Sequence, residues 1–188
     1  MGRDKASLAP PSLDGPTLAE RAAGVLARVC PEVVAADGGR GVLPGVRSVA
    51  DAPSPGSGTG SGRGPAAGIL GAARAFPGRP LLVLACDVPA VPAELLARLA
   101  ERVAEGRADL ALPRTPGGPE PLVACYGPAA LAALAEQVAA GEHAVRRISD
   151  RKGLRIDWLE GVELESFGDP ERMLANVNTP DDLERLRL

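Results

Sequence analysis

The sequence predicts an α/β fold with a mainly parallel sheet, and three observations carry that expectation. Segments with strand character alternate along the chain with segments of helical periodicity. The run Pro80-Leu81-Leu82-Val83-Leu84-Ala85-Cys86 is continuously apolar, as a strand covered on both faces requires. It ends on Asp87, followed by Val88-Pro89. A charge has no place inside such a strand, so Asp87 belongs where the strand emerges at its carboxyl end. In open α/β sheets that edge binds ligands. Taken alone, Asp87 reads equally well as a turn or capping aspartate.

The helices and strands follow from local chemistry. Thr17 with Glu20 is a capping box, and Leu18, Ala22, Val25, Leu26 and Val29 recur at helical spacing up to Cys30-Pro31. Glu32 to Asp37 is a short strand closed by Gly38-Gly39, and Val46 to Ala50 a second, ending at Asp51. Residues 52–65 are rich in glycine, serine and proline, the composition of a flexible loop. Its end, Gly64-Pro65-Ala66-Ala67-Gly68-Ile69, opens a helix running to about Phe76. Small residues there let backbone amides at the helix start approach an anion.

After the central strand, Pro92 starts a helix to residue 105. Asp109–Pro113 and, beyond a Gly117-Gly118 turn, Pro119–Tyr126 read as strands; residues 128–140 form an Ala/Leu helix ended by Gly141. Ala144–Lys152 reads as a short amphipathic helix, and Arg155–Leu159 and Val162–Phe167 as strands. Last, Thr179 suits an N-cap, Pro180 the first helical position, and Asp181 and Asp182 the positive helix end. No internal repeat or domain linker interrupts the 188 residues, so a single domain over 1–188 is expected.

Composition excludes several classes of function. The net charge is -3, which gives no basic surface for nucleic acid. Three dispersed cysteines, Cys30, Cys86 and Cys125, form neither a Cys-x-x-Cys pair nor a disulfide framework, and a reducing cytoplasm is expected. The single histidine, His143, excludes His-rich metal centres. There is no Gly-x-Ser-x-Gly elbow, no apolar run long enough for a membrane helix and no signal-peptide pattern, so no membrane association is expected.

Four pieces can converge on the carboxyl edge of the sheet: Lys5, Asp51 with the glycine-rich segment after it, Asp87, and the pair Asn176 and Asn178. A lysine and the amides near Gly64 and Pro65 suit phosphates. Carboxylates suit Mg2+, a hard cation that bridges to substrate phosphates. Each piece also has an ordinary reading: Lys5 as an exposed terminal lysine, Asp51 as a loop aspartate, the asparagines as turn formers.

The order Asp4-Lys5-Ala6, Gly64-Pro65-Ala66-Ala67-Gly68-Ile69, Leu82-Val83-Leu84-Ala85-Cys86-Asp87-Val88-Pro89 and Asn176-Val177-Asn178-Thr179-Pro180 resembles the molybdenum cofactor guanylyltransferases, within the wider group of sugar-nucleotidyltransferase-like enzymes. Glu120-Pro121-Leu122 and Ala140-Gly141 favour the cofactor branch. The resemblance spans nearly the whole chain. It implies a three-layer Rossmann-like nucleotidyltransferase fold and a reaction in which the phosphate of molybdenum-bound molybdopterin attacks the α-phosphate of GTP, giving the guanine dinucleotide cofactor and pyrophosphate. It implies that Asp87 binds Mg2+ and aligns the triphosphate, that Lys5 lies on the nucleotide phosphates and Asp51 near the guanine nucleotide, and that Asn176 and Asn178 face the pterin. Asp87 and Lys5 are thus the catalytic candidates. GTP and the molybdopterin cofactor are the implied substrates, with transient contact to cofactor-biosynthesis proteins and molybdoenzymes.

Two departures stand out. The family's asparagine after the second strand has no clear counterpart, Ala35 or Asp37 standing in that region. The family's first strand and Leu-x-Gly-Gly-x-Ser-x-Arg loop are absent, since the sequence begins at the methionine that follows them. The expectation is a chain shortened by about 15 residues, one strand and a loop by usual lengths, which leaves unpaired strand edges or an apolar slot. Two alternatives stay open: a sister enzyme using CTP or another phosphorylated acceptor, and a non-catalytic nucleotide- or cofactor-binding protein. Cys86 and Trp158 are expected to pack, and His143 to lie on the surface.

Overall fold

The computed structural model describes residues 15–53, 64–179 and 181–182. Lys5, the Ser/Gly portion of the 52–65 loop and Pro180 lie outside the described residues. The elements run α1 (Leu18–Ala27), β1 (Val34–Ala36), β2 (Arg47–Val49), α2 (Pro65–Ala75), β3 (Leu81–Leu84), α3 (Ala93–Ala104), β4 (Leu110–Thr115), β5 (Gly118–Pro119), β6 (Val123–Tyr126) and α4 (Pro128–Ala139). A 3-10 helix (Val145–Asp150), β7 (Ile156–Leu159), α5 (Gly161–Glu165) and α6 (Pro170–Met173) complete the order.

Local chemistry sets most boundaries where the sequence places them. The Thr17 hydroxyl accepts from the Glu20 amide at 3.2 Å, and the Thr17 amide donates to Glu20 Oε2 at 2.7 Å. Both halves of the capping box are therefore made, and two of the orphan amides at the start of α1 are satisfied.

The strands form two groups. β1 and β2 pair in parallel, Val34 opposite Arg47. The larger sheet has the order β3-β6-β4, with β5 and β7 also on β4. β4 and β7 are parallel, Leu110 opposite Ile156 through Pro113 opposite Leu159. β6 runs antiparallel to both β3 and β4. The sheet is mixed for a mechanical reason. A short hairpin links β4 to β5 at Thr115–Gly118, and strands joined by a tight turn return antiparallel, whereas parallel neighbours need a crossover.

Alternation along β4 divides the core between two faces. Leu110 and Leu112 pack with Leu81, Tyr126, Leu131, Leu134 and Ile148 on the α2, α4 and 3-10 side. Ala111 packs with Leu95, Leu96, Leu99 and Leu164 on the α3 side. Helices thus cover both faces, giving three layers, as a buried sheet requires.

Four elements differ from the sequence expectation. The single strand expected at Pro119–Tyr126 is split into β5 (Gly118–Pro119) and β6 (Val123–Tyr126) by a turn in which the Val123 amide donates to the Glu120 carbonyl at 3.0 Å. Val162–Phe167, expected as a strand, contains helix α5: Leu164 is buried while Val162 is 83% exposed. The two residues there that pack on the core, Leu164 and Phe167, stand three apart, which is a helical spacing and not the period of a strand. The helix expected at Ala144–Lys152 is a 3-10 helix, whose two buried residues, Val145 and Ile148, stand three positions apart, the 3-10 period. β3 is less buried than its all-apolar run predicts. Leu81 is buried, but Leu82, Val83 and Leu84 are half-buried, because β6 pairs with one edge and the other faces a cavity.

That cavity has a volume of about 840 Å³ and is walled by Val33–Ala36 on one side and Leu81–Cys86 on the other. Among the described residues neither facing strand edge carries a ladder partner.

Candidate active site

The ladder between β3 and β6 closes with the Ala85 amide donating to the Leu122 carbonyl at 2.9 Å. Two residues further, beyond the last ladder bond, stands Asp87, half-buried and lining the cavity. Its carboxylate has no hydrogen-bond or ion-pair partner among the described residues. A half-buried carboxylate left unpaired is costly, so this one is set up for an external donor or cation.

The Asp87 backbone carbonyl accepts from the Val177 amide at 2.7 Å. Val177 is fully buried against Leu18, with Cys86 and Ala175 packed beside them. Its flanking residues, Asn176 and Asn178, are exposed. The fold therefore brings the asparagine pair to the strand end that carries Asp87. The turn is fixed beyond Asn178, where Asp182 accepts from the Asn178 and Thr179 amides at 3.0 and 2.9 Å and donates its own amide to the Thr179 hydroxyl at 3.2 Å. The Thr179 hydroxyl thus takes the amide three residues on, the bond an N-cap makes; most of the helix expected after it lies outside the described residues.

Asp51, Gly64 and Pro65 line the same cavity as Asp87. The Asp51 carboxyl is pushed up by burial, against the pull of Arg40, with Asp37 adding to the rise. Helix α2 begins at Gly64, whose φ of 94° needs glycine, and no side chain caps it. The other small residues of this helix have a packing role the sequence reading did not assign. A Cβ on Gly68 would stand 3.2 Å from the Ala36 Cβ, and one on Gly71 would stand 2.2 Å from the Ala50 carbonyl oxygen. These glycines let α2 lie directly on the ends of β1 and β2. The Ala52 amide donates to the Ala67 carbonyl at 2.9 Å across that contact, which holds Asp51 beside the first turn of α2.

Asp37, at the end of β1, is fully engaged. Its carboxylate accepts from the amides of Gly39, Arg40 and Val42 at 3.0, 3.1 and 2.8 Å, and from the Ser48 hydroxyl. Four donors use the acceptor positions of a carboxylate. Asp37 therefore braces the loop after β1. Cys86 packs against the Leu18–Val177 cluster. Trp158 packs on the core with the Arg114 guanidinium 4.7 Å over its ring. His143 is exposed. Among the described residues no three His, Cys, Asp or Glu side chains group as a metal site, and no helix is long and apolar enough to cross a membrane.

In this three-layer α/β domain the cavity and a carboxylate without a partner among the described residues lie at a strand's carboxyl end, where open α/β sheets bind their ligands. The chain belongs to the MobA-like NTP transferase family, whose domain matches residues 1–156. It is 36% identical to the probable molybdenum cofactor guanylyltransferase of Chloroflexus aggregans, over 98% of this chain and 86% of that one. It is 32% identical to the protein of the same description from Pelotomaculum thermopropionicum, over 100% and 86%. Among solved structures, molybdopterin-guanine dinucleotide biosynthesis protein A of Archaeoglobus fulgidus superposes with a TM-score of 0.74 at 26% identity, over 98% of this chain and 89% of that one.

Proposed function

We propose that this chain transfers GMP from GTP to the phosphate of molybdenum-bound molybdopterin, forming the guanine dinucleotide cofactor. In the step, an acceptor phosphate oxygen forms a bond to the α-phosphorus of GTP. The bond from that phosphorus to the α–β bridging oxygen breaks, and pyrophosphate leaves. The observation that carries this reading is Asp87: an unpaired, half-buried carboxylate among the described residues, on the cavity it shares with Asp51, Gly64 and Pro65, in a chain that resembles guanylyltransferases along its length.

The donor set suits Mg2+. That ion takes one or two protein carboxylates and completes its shell with water and substrate phosphates, so a lone carboxylate without a competing cation is an adequate protein ligand. Bound there, Mg2+ would neutralise charge on the triphosphate. Lys5 adds a positive charge to the phosphates, Asp51 and the start of α2 hold the nucleotide side, and Asn176 and Asn178 face the acceptor. The reaction is placed in the cytoplasm, with product passed on through transient contact with molybdoenzymes.

The test is release of pyrophosphate from GTP in the presence of molybdopterin, with CTP as the competing nucleotide. Asp87→Asn should lower transfer by about 100-fold or more, the scale for losing one group that stabilises developing charge, while the thermal midpoint stays within a few degrees. Undiminished transfer would refute the role given to Asp87. Nucleotide binding with no transfer by the unsubstituted protein would favour the non-catalytic reading.

A further inference from the structure

Glu120 stands at the same sheet edge as Asp87, on the opposite side of β3 from the cavity. The register places it there. Leu84 pairs with Val123, the Ala85 amide reaches the Leu122 carbonyl at 2.9 Å, and the Glu120 amide donates to the Pro113 carbonyl near the end of β4 at 3.0 Å. The Val123 amide closes a turn onto the Glu120 carbonyl at 3.0 Å, and the Tyr126 hydroxyl fixes that turn by donating to the Pro121 carbonyl at 2.8 Å. Glu120 therefore leaves a rigid turn at the ends of β3 and β4.

Its side chain is out of keeping with its surroundings. Other carboxylates on or beside this sheet have arginine partners: Glu160 with Arg114, Asp157 and Glu163 with Arg102, and Asp109 with Arg155. Glu120 is half-buried and has no partner among the described residues. Burial alone pushes its carboxyl above the usual range. A desolvated carboxylate held by a fixed turn matches a ligand that brings N–H donors with it.

We propose that Glu120 reads the 2-amino-4-oxopyrimidine edge of the acceptor pterin, through its ring N–H and 2-amino group. The inference rests on the function proposed above. Guanine carries the same edge, and the strand order distinguishes the two. Asp51, Gly64 and Pro65 lie on the β1 side of the cavity and hold the nucleotide. β6 and β4, which bear Glu120, lie on the other side of β3. With the triphosphate at Asp87 between them, the ring nearest Glu120 is the acceptor's. Two parallel N–H donors meet a carboxylate in bidentate fashion, which excludes rings with an oxygen at the 2-position.

The experiment is a fluorescence titration of the full chain with 6-hydroxymethylpterin and with 6-hydroxymethyllumazine, its 2-oxo counterpart, beside a calorimetric titration with GDP. The unsubstituted protein should prefer the pterin. Glu120→Gln should weaken pterin binding by about 10- to 100-fold, the range for one hydrogen bond to a charged group, and collapse the preference, with GDP affinity unchanged. In the transfer assay KM for molybdopterin should rise while KM for GTP does not. Glu120→Asp, which keeps the charge but withdraws it, should lose less. Thermal melts of both variants separate local loss from misfolding. Unchanged pterin preference in Glu120→Gln, or weakened GDP binding instead, overturns the proposal. Transfer activity that survives with the preference intact refutes the role of Glu120 and leaves the guanylyltransferase reading standing. A pterin preference that depends on Glu120 in a protein without transfer activity does the reverse. No pterin binding by the unsubstituted protein overturns both.

Discussion

Replacing Gly71 with alanine should destabilise this protein although alanine is the better helix former. The residue sits in the middle of α2, where an added methyl would stand 2.2 Å from the Ala50 carbonyl oxygen, 3.1 Å from its carbon and 3.4 Å from the Ala52 amide nitrogen. All three atoms are backbone and cannot rotate aside. Restoring ordinary contact would move the helix off β2 by about 1 Å. Overpacking of this kind costs about 1–3 kcal/mol or more, while helix propensity returns about 1 kcal/mol. A net loss of up to about 2 kcal/mol lowers the thermal midpoint of a domain this size by up to roughly 8 °C. Gly24 supplies the control. It is exposed in α1, and a Cβ there meets nothing within 4 Å. Gly24→Ala should therefore gain about 0.5–1 kcal/mol. Thermal and urea unfolding of the two variants would settle the matter: a Gly71→Ala protein as stable as Gly24→Ala would refute the close approach of α2 to β2. The same displacement would carry Gly64 and Pro65 away from Asp51, so nucleotide affinity should fall with stability in Gly71→Ala and not in Gly24→Ala.

Two further outcomes follow from single side chains. Burial pushes the Asp37 carboxyl up, but its hydrogen bonds from Ser48, Val42, Gly39 and Arg40 outweigh burial and hold it below its ordinary value of 3.8. Its contribution to stability is thus complete above that value and is lost as pH falls through the lower folded-state value. Urea unfolding followed from neutral pH into acid should show this loss, and Asp37→Asn should remove it; the same acid profile in both proteins would refute it. Tyr126→Phe removes the bond to Pro121 from a fully buried side chain and should cost about 1–3 kcal/mol, read as a lower urea midpoint at constant slope. An unchanged midpoint would mean that the hydroxyl does not hold the turn bearing Glu120.

Much of the layering was legible in the chain because it is written in short-range terms. The capping box at Thr17 and Glu20, the apolar run ending on Asp87, and the strand at Asp109–Pro113 each set an element through local backbone chemistry and burial. Where a pattern spanned few residues it misled. Val162 and Leu164 stand two apart as in a strand, yet Val162 is exposed while Leu164 and Phe167, three apart, pack on the core, so burial favours helical spacing and a helical turn forms. The small residues of Gly64–Ile69 suggest an opening for an anion; at Gly68, and at Gly71 beyond that stretch, small size serves a helix–sheet contact, which depends on residues far apart in sequence.

By itself the sequence determined the fold class, the family and the strand end on which Asp87 sits, because these depend on hydrophobic pattern and on ordered motifs. Only the tertiary structure decided which distant pieces meet. The Val177 amide on the Asp87 carbonyl joins the asparagine pair to the strand end that carries Asp87. Asp37 is withdrawn from ligand contact by its four donors. Glu120 is left half-buried without a partner among the described residues. Whether a polar side chain is satisfied or waiting for a ligand depends on neighbours brought from other parts of the chain, and no local pattern specifies them.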